Sequence, residues 1–155
     1  ILVTQAGYYG IPAKIAKERA ERYLNQLGLW DKRDVSSRML SGGMKRRLMI
    51  ARALIHQPRL LILDEPTSAL DLRHQVEVLQ LVREEVEGSD KLAIIAIHDL
   101  NLAARFCDEV LVMKHGKKVV HDTPRNVFTP EVLERVYGIR AKVIEDEGVP
   151  VVCPV

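Results

Sequence analysis

The chain has 155 residues, 47% of them hydrophobic and 28% charged, the balance of a folded protein long enough for a core of its own. Its 23 basic and 21 acidic residues leave a formal charge of +2, which offers no bulk attraction to nucleic acid or to an anionic membrane surface. Two cysteines, Cys107 and Cys153, are too few and too far apart for a disulfide scaffold or a zinc site, and they fit a reducing, cytosolic compartment. No apolar run approaches the roughly 18–20 residues of a membrane-spanning helix. The opening "ILVTQAGYYG" has neither a basic leader nor a methionine, and it reads like a chain entered partway through.

In chain order, Pro12 to Leu27 forms the first clear helical pattern, with Ile15, Tyr23, Leu24 and Leu27 at spacings that share a face, and Gly28 stops it. "DKRDVSSRM" is a polar connection. A second helix starts at "LSGG" and runs to about His56, before Pro58. "LLILDEP" is a short strand whose lack of alternation predicts burial on both faces. Leu72 to Glu87 is a helix ended by Gly88, "LAIIAIHD" a second apolar strand, and "LNLAARFC" a short helix. Strand and helix alternating in this way predict a parallel sheet covered by helices. The pattern then changes. "EVLVMKHGKKVVHD" reads as a hairpin around His115-Gly116, "TPEVLERVYG" as a helix capped by Thr129 and stopped at Gly138, and "AKVIEDEGVPVVCP" as a final hairpin. A boundary near His121 separates an α/β part from a small α+β tail.

Three places carry chemistry. In "LSGGMKRRLMIARAL", Ser41 is a good helix N-cap and the glycines let the chain turn into the helix; both roles are local. The same hydroxyl, bare backbone N–H groups and positive helix end also make a phosphate site, and this stretch alone leaves both readings open. Asp64 and Glu65 stand at the carboxyl end of a strand, where parallel sheets deliver ligand-binding groups. Neighbouring residues on extended chain point to opposite sides, so one carboxylate can serve Mg²⁺ while the other reaches an attacking water. His98 follows "LAIIAI" as Asp64 follows "LLIL". If those strands are neighbours, its imidazole stands at the same sheet edge, able to hydrogen-bond a phosphate.

Together these residues resemble the ATP-binding cassette (ABC) ATPases, the nucleotide-binding subunits of ABC transporters. "LSGGMKRRLMIARAL" resembles the family's signature motif, "LLILDEP" its Walker B strand, "SALD" (Ser68 to Asp71) its D-loop and "IHD" its switch histidine. The resemblance implies a P-loop NTPase-like α/β core with a parallel sheet and a helical subdomain, truncated before the P-loop. Residues 1–57 would belong to the helical subdomain, 58–121 to the C-terminal part of the core and 122–155 to a C-terminal extension. It implies ATP and Mg²⁺ as cofactors, with Asp64 serving the metal, Glu65 as general base and His98 on the γ-phosphate. Ser41, Gly42 and Gly43 would bind the γ-phosphate of a nucleotide held mainly by a second subunit, with Asp71 crossing the same interface. Lys45, Arg46 and Arg47 are expected to reinforce local potential and salt links rather than bind phosphate, as most such runs are solvated faces.

No G-x-x-x-x-G-K-[ST] loop occurs in these residues. The resemblance places that loop, the adenine-stacking aromatic and the Q-loop upstream, so the chain on its own is expected to be inactive. "YYGIPAKIAKERAERYLNQLGLWDKRD" resembles exporters of the drug or polysaccharide type. "HDLNLAARFCDEVLVMKHGK" and "VFTPEVLERVYGI" resemble importers of iron–siderophore, haem or vitamin B12, and this longer match favours an importer. That reading implies a second ATPase subunit, transmembrane permease subunits and a substrate-binding protein as partners, with no nucleic acid, and a place on the cytoplasmic face of the membrane. The rival classes are an exporter ATPase, an ABC protein without a membrane partner, and a non-catalytic fragment.

Overall fold

A computed structural model describes residues 1–155, which divide by packing into two compact units, Ile1–Ala96 and Ile97–Val155. In the first, α1 (Leu2–Tyr8) and α2 (Ala13–Gln26) precede two short 3₁₀ turns, Trp30–Lys32 and Ser37–Met39. Then come α3 (Gly42–Leu54), β1 (Leu60–Asp64), α4 (Leu72–Val86) and β2 (Leu92–Ala96). The second holds α5 (Leu100–Phe106), β3 (Val110–Lys114), β4 (Lys117–Asp122), α6 (Pro124–Val127), α7 (Pro130–Tyr137), β5 (Ala141–Asp146) and β6 (Val149–Pro154). No helix is long and apolar enough to cross a membrane. Leu54 and Ile55, at the end of α3, share one core with Leu61 and Leu63 of β1.

The buried stripe of α2 is Ala16, Ala20, Tyr23 and Leu24, continued by Leu27 after the helix. The expected Ile15 lies one position off that stripe and is 41% exposed. Alanine, not isoleucine, meets the core in the first turns of α2. The stripe packs with Ile50, Ala51 and Leu54 of α3 and Val78, Leu81 and Val82 of α4. Glu85 of α4, buried, takes an ion pair from Arg22 of α2 at 2.8 Å and another from Lys91 at 3.3 Å. Burial, and then the Glu85 charge, push the nearby Tyr23 hydroxyl up to about 12.

β1 and β2 pair in parallel, Leu60 opposite Leu92 through Asp64 opposite Ala96. The expectation of burial on both faces is corrected here. Leu61 and Leu63 face the helices, whereas Leu60, Ile62, Leu92 and Ile94 are 51%, 67%, 58% and 52% exposed. The helices of this unit cover a single face of the pair.

The second unit packs Ala103, Ala104, Val112, Val127, Phe128, Leu133, Val136 and Val152 into its own core. Both of its hairpins turn through two left-handed residues, His115-Gly116 (φ 51° and 72°) and Glu147-Gly148 (φ 51° and 83°). That is the type I′ geometry whose twist suits paired strands. Thr129 caps α7 by accepting from the Val132 N–H at 3.3 Å, and Gly138 closes the helix at φ 69°.

Candidate functional site

Ser41 has extended backbone and caps α3: its Oγ accepts the Met44 N–H at 3.3 Å. The two glycines that follow differ in surroundings. A Cβ on Gly42 would meet nothing within 4 Å, whereas one on Gly43 would stand 3.2 Å from the Ala69 carbonyl oxygen and 3.3 Å from Leu70 Cδ2. The start of α3 is therefore seated on the loop that follows β1, and Arg46 adds a hydrogen bond to the Ser68 hydroxyl.

That loop is tightly wound. Glu65 directly follows β1 with φ at 46°, its N–H donating to the Ala96 carbonyl at 3.0 Å and its own carbonyl accepting from Ser68 at 3.1 Å. Ala69 also has positive φ, 60°, and Gln75 reaches back from α4 to the Leu70 carbonyl at 3.1 Å. Non-glycine residues at positive φ carry backbone strain that the surrounding contacts must hold, and such strain concentrates at functional loops. Asp64 is exposed at the strand end and Glu65 is half-buried. Asp71 caps α4, accepting the His74 N–H at 3.0 Å and facing His74 Nδ1 at 2.8 Å. The backbone bond first, then the side-chain bond, hold its carboxyl below the usual range.

The first unit thus brings Ser41, Gly42 and Gly43 together with the Ser68–Leu70 segment that links Glu65 to Asp71. His98 belongs to the second unit, in the segment before α5, and Asp99 caps that helix by accepting the Asn101 and Leu102 N–H groups, each at 2.9 Å. No group of three or more His, Cys, Asp or Glu residues gathers to hold a metal. The donor Asp64 fits Mg²⁺ only as one carboxylate among ligands from phosphate and water, a sharing that Mg²⁺ commonly accepts.

Arg47 departs from the expectation of a solvated cationic run. It is 7% exposed, and its Nη1 donates to the Leu27 carbonyl at 2.7 Å, closing the end of α2. Gly28 makes room for it: at φ 62°, a Cβ there would lie 3.2 Å from that nitrogen. The signal was helical spacing, since Arg47, Ile50, Ala51 and Leu54 form the buried face of α3. Lys45, Leu48, Met49 and Arg52 form another face and line an open pocket of about 340 Å³.

Residues 3–68 match the family described as ABC transporter. The cobalamin import ATP-binding protein BtuD of Halobacterium salinarum is 45% identical over 116 residues, covering 74% of this chain and 28% of that protein. The ferric enterobactin transport ATP-binding protein FepC of Escherichia coli is 34% identical over 140 residues, covering 89% of this chain and 52% of that one. The chain thus spans between about a quarter and about half the length of these relatives. A solved structure described as a metal-chelate type ABC transporter in an inward-facing conformation superposes with a TM-score of 0.81 at 24% identity, over 99% of this chain and 65% of that one. That likeness establishes the fold. This chain is thus similar to the ABC transporter family through residues 3–68, and over 74% and 89% of its length to relatives named as ATP-binding proteins.

Proposed function

We propose that these residues form the signature, Walker B and switch part of an ATP-binding subunit that energises import of an iron chelate, haem or cobalamin through a membrane permease. The observation that carries the reading is the seating of Gly43 on Ala69 and Leu70, which joins the signature helix to the loop between Glu65 and Asp71. ATP-binding subunits of cobalamin and ferric enterobactin transport among the relatives support the import branch.

In this reading Asp64 contributes a carboxylate to Mg²⁺, which when bound neutralises charge on the β- and γ-phosphates. Glu65 takes the proton from the attacking water, and His98 hydrogen-bonds the γ-phosphate. Ser41, Gly42 and Gly43 present a hydroxyl and backbone N–H groups, at the positive end of α3, to a nucleotide held by a second subunit. Asp71 serves the same interface. The pocket on α3, with Arg38, Lys45 and Arg52 around Leu48 and Met49, suits an apolar segment carrying acid groups, as a permease could offer from the cytoplasmic face of the membrane. A substrate-binding protein completes the proposed importer.

Glu65→Gln, made in an assembly that joins these residues to a phosphate-binding loop, preserves shape and removes the base. ATP affinity should persist while hydrolysis slows by roughly 10²–10⁴-fold, the usual worth of a positioned base. Near-normal turnover would remove Glu65 from the role.

A further inference from the structure

β6 is paired on one side only, with β5, and its register runs from Val149 opposite Asp146 to Pro154 opposite Ala141. In an antiparallel pair, alternate residues turn both backbone groups to the partner and the others turn both away. The Val152 N–H donates to Asn101 Oδ1 at 2.7 Å, and Asn101 Nδ2 donates to the Val152 carbonyl at 3.2 Å. Val152 therefore belongs to the outward set, with Pro150 and Pro154. The prolines have no N–H to expose, a common way to blunt a strand edge. Val152 carries the one outward N–H between them, and the amide of Asn101 takes it in the way that a neighbouring strand would.

The other end of this contact lies at the start of α5. The Asn101 N–H is held by Asp99 Oδ1 at 2.9 Å, and Asp99 directly follows His98. An unbroken line of hydrogen bonds thus runs from the residue beside His98, through both the backbone and the side chain of Asn101, to a buried position of β6. Beside the packing of Ala103 and Ala104 with Val152, a further polar link from α5 to this hairpin is the pair between Arg105 and Asp146 at 3.1 Å. Both its side chains are about half exposed, and such pairs add little.

We infer that Asn101 is a positioning residue for His98: its two bonds to Val152 anchor the first turn of α5 to the C-terminal hairpin and so set the orientation of the histidine before it. This rests on the proposed phosphate-sensing role only for its functional meaning, as the anchoring itself needs no nucleotide. The hairpin thereby becomes the support of the His98 segment within its unit, in addition to serving as a terminal extension.

The test is nuclear magnetic resonance on the 155-residue chain with Asn101→Ala and, separately, Asn101→Leu, which keeps more bulk and favours helix. Two readings are taken at fixed pH: exchange of the Val152 amide and the ring shifts of His98, with His121 of the same unit as the internal control. Exchange at Val152 should rise about fivefold or more for the loss of its acceptor. The His98 ring signals should move while those of His121 stay in place. A folded variant whose His98 signals match the parent overturns the inference, as does a shift shared equally by His98 and His121, which marks general loosening. If Asn101→Ala does not fold, Asn101→Leu decides by the same criteria. The spectroscopic reading uses no ATP, so it stands apart from whether His98 meets phosphate.

Discussion

Gly42 and Gly43 sit side by side, yet their surroundings predict opposite results. Gly42 begins α3 with open space where a Cβ would go. Gly42→Ala should leave stability unchanged or raise it slightly, because the unfolded chain loses freedom. Gly43→Ala pushes a methyl against the Ala69 carbonyl, in a backbone already at positive φ, and should cost on the order of 1 kcal/mol in urea denaturation. Equal stabilities would mean that the loop after β1 yields freely. The contrast bears on function, since a dimerisation defect in a Gly43 variant could come from this internal contact. Gly42 is the cleaner probe of phosphate contact: Gly42→Ala should weaken ATP-driven association in sedimentation while its melting curve holds. Asp71 supplies a pH signature. Its carboxyl titrates below the ordinary 3.8, so its stabilisation is full above that value and is lost as pH falls through the lowered one. Asp71→Asn, which keeps an oxygen for the cap and drops the charge, should flatten that acid limb of the stability profile. An unchanged limb would place its origin in other carboxylates.

Among the elements, α3 and the strand–helix alternation are legible in the sequence, because caps, glycines and apolar runs are local. Other features depended on distant partners. The segment "LVTQAGY" became α1 although no side chain caps it, and its buried residues are only Leu2 and Ala6. Arg47 looked like surface charge because its partner, the Leu27 carbonyl, lies twenty residues upstream. The pairing of Asn101 with Val152 spans 51 residues and left no trace in periodicity. The apolar strands hid their sidedness, since "LLIL" and "LAIIA" carry the same residues on the covered and bare faces. That bare face predicts a property of the chain on its own. Ile62→Thr with Ile94→Thr should lower binding of a hydrophobic dye markedly and cost at most about 0.5 kcal/mol each, as exposed sites usually do. Unchanged dye binding would put the exposed apolar surface elsewhere. The junction after α1 gives another test. Tyr9 stacks on His56 at 4.0 Å between centroids and 5° between planes, and burial holds His56 below its ordinary 6.5. The unfolded chain then takes up protons more readily in the window below 6.5, so stability should fall as pH drops through it. His56→Phe keeps a stacked ring and should remove that part of the slope between about pH 7 and about pH 5; a slope that persists would assign it to another group.

Across the whole chain, the residues proposed for phosphate chemistry are a helix N-terminus, a strand-end carboxylate pair and, in the second unit, a histidine. None of these supplies the Gly-rich cradle and lysine that enclose the β- and γ-phosphates in P-loop proteins. A helix N-terminus alone offers partial charge of about half an elementary unit, and a single exposed carboxylate holds Mg²⁺ weakly without phosphate to share it. The 155-residue chain should therefore show no Mg-ATP binding in the micromolar range by calorimetry and no hydrolysis above background. The signature residues should engage ATP only when a second chain presents the nucleotide already bound by its own cradle. Mixing the chain with such a subunit and Mg-ATP should produce association that Gly42→Ala weakens and that disappears without nucleotide. Tight binding of Mg-ATP to the 155 residues alone would overturn the proposed division of the site, since it would require a phosphate cradle formed by groups other than Ser41, Gly42, Gly43, Asp64 and Glu65.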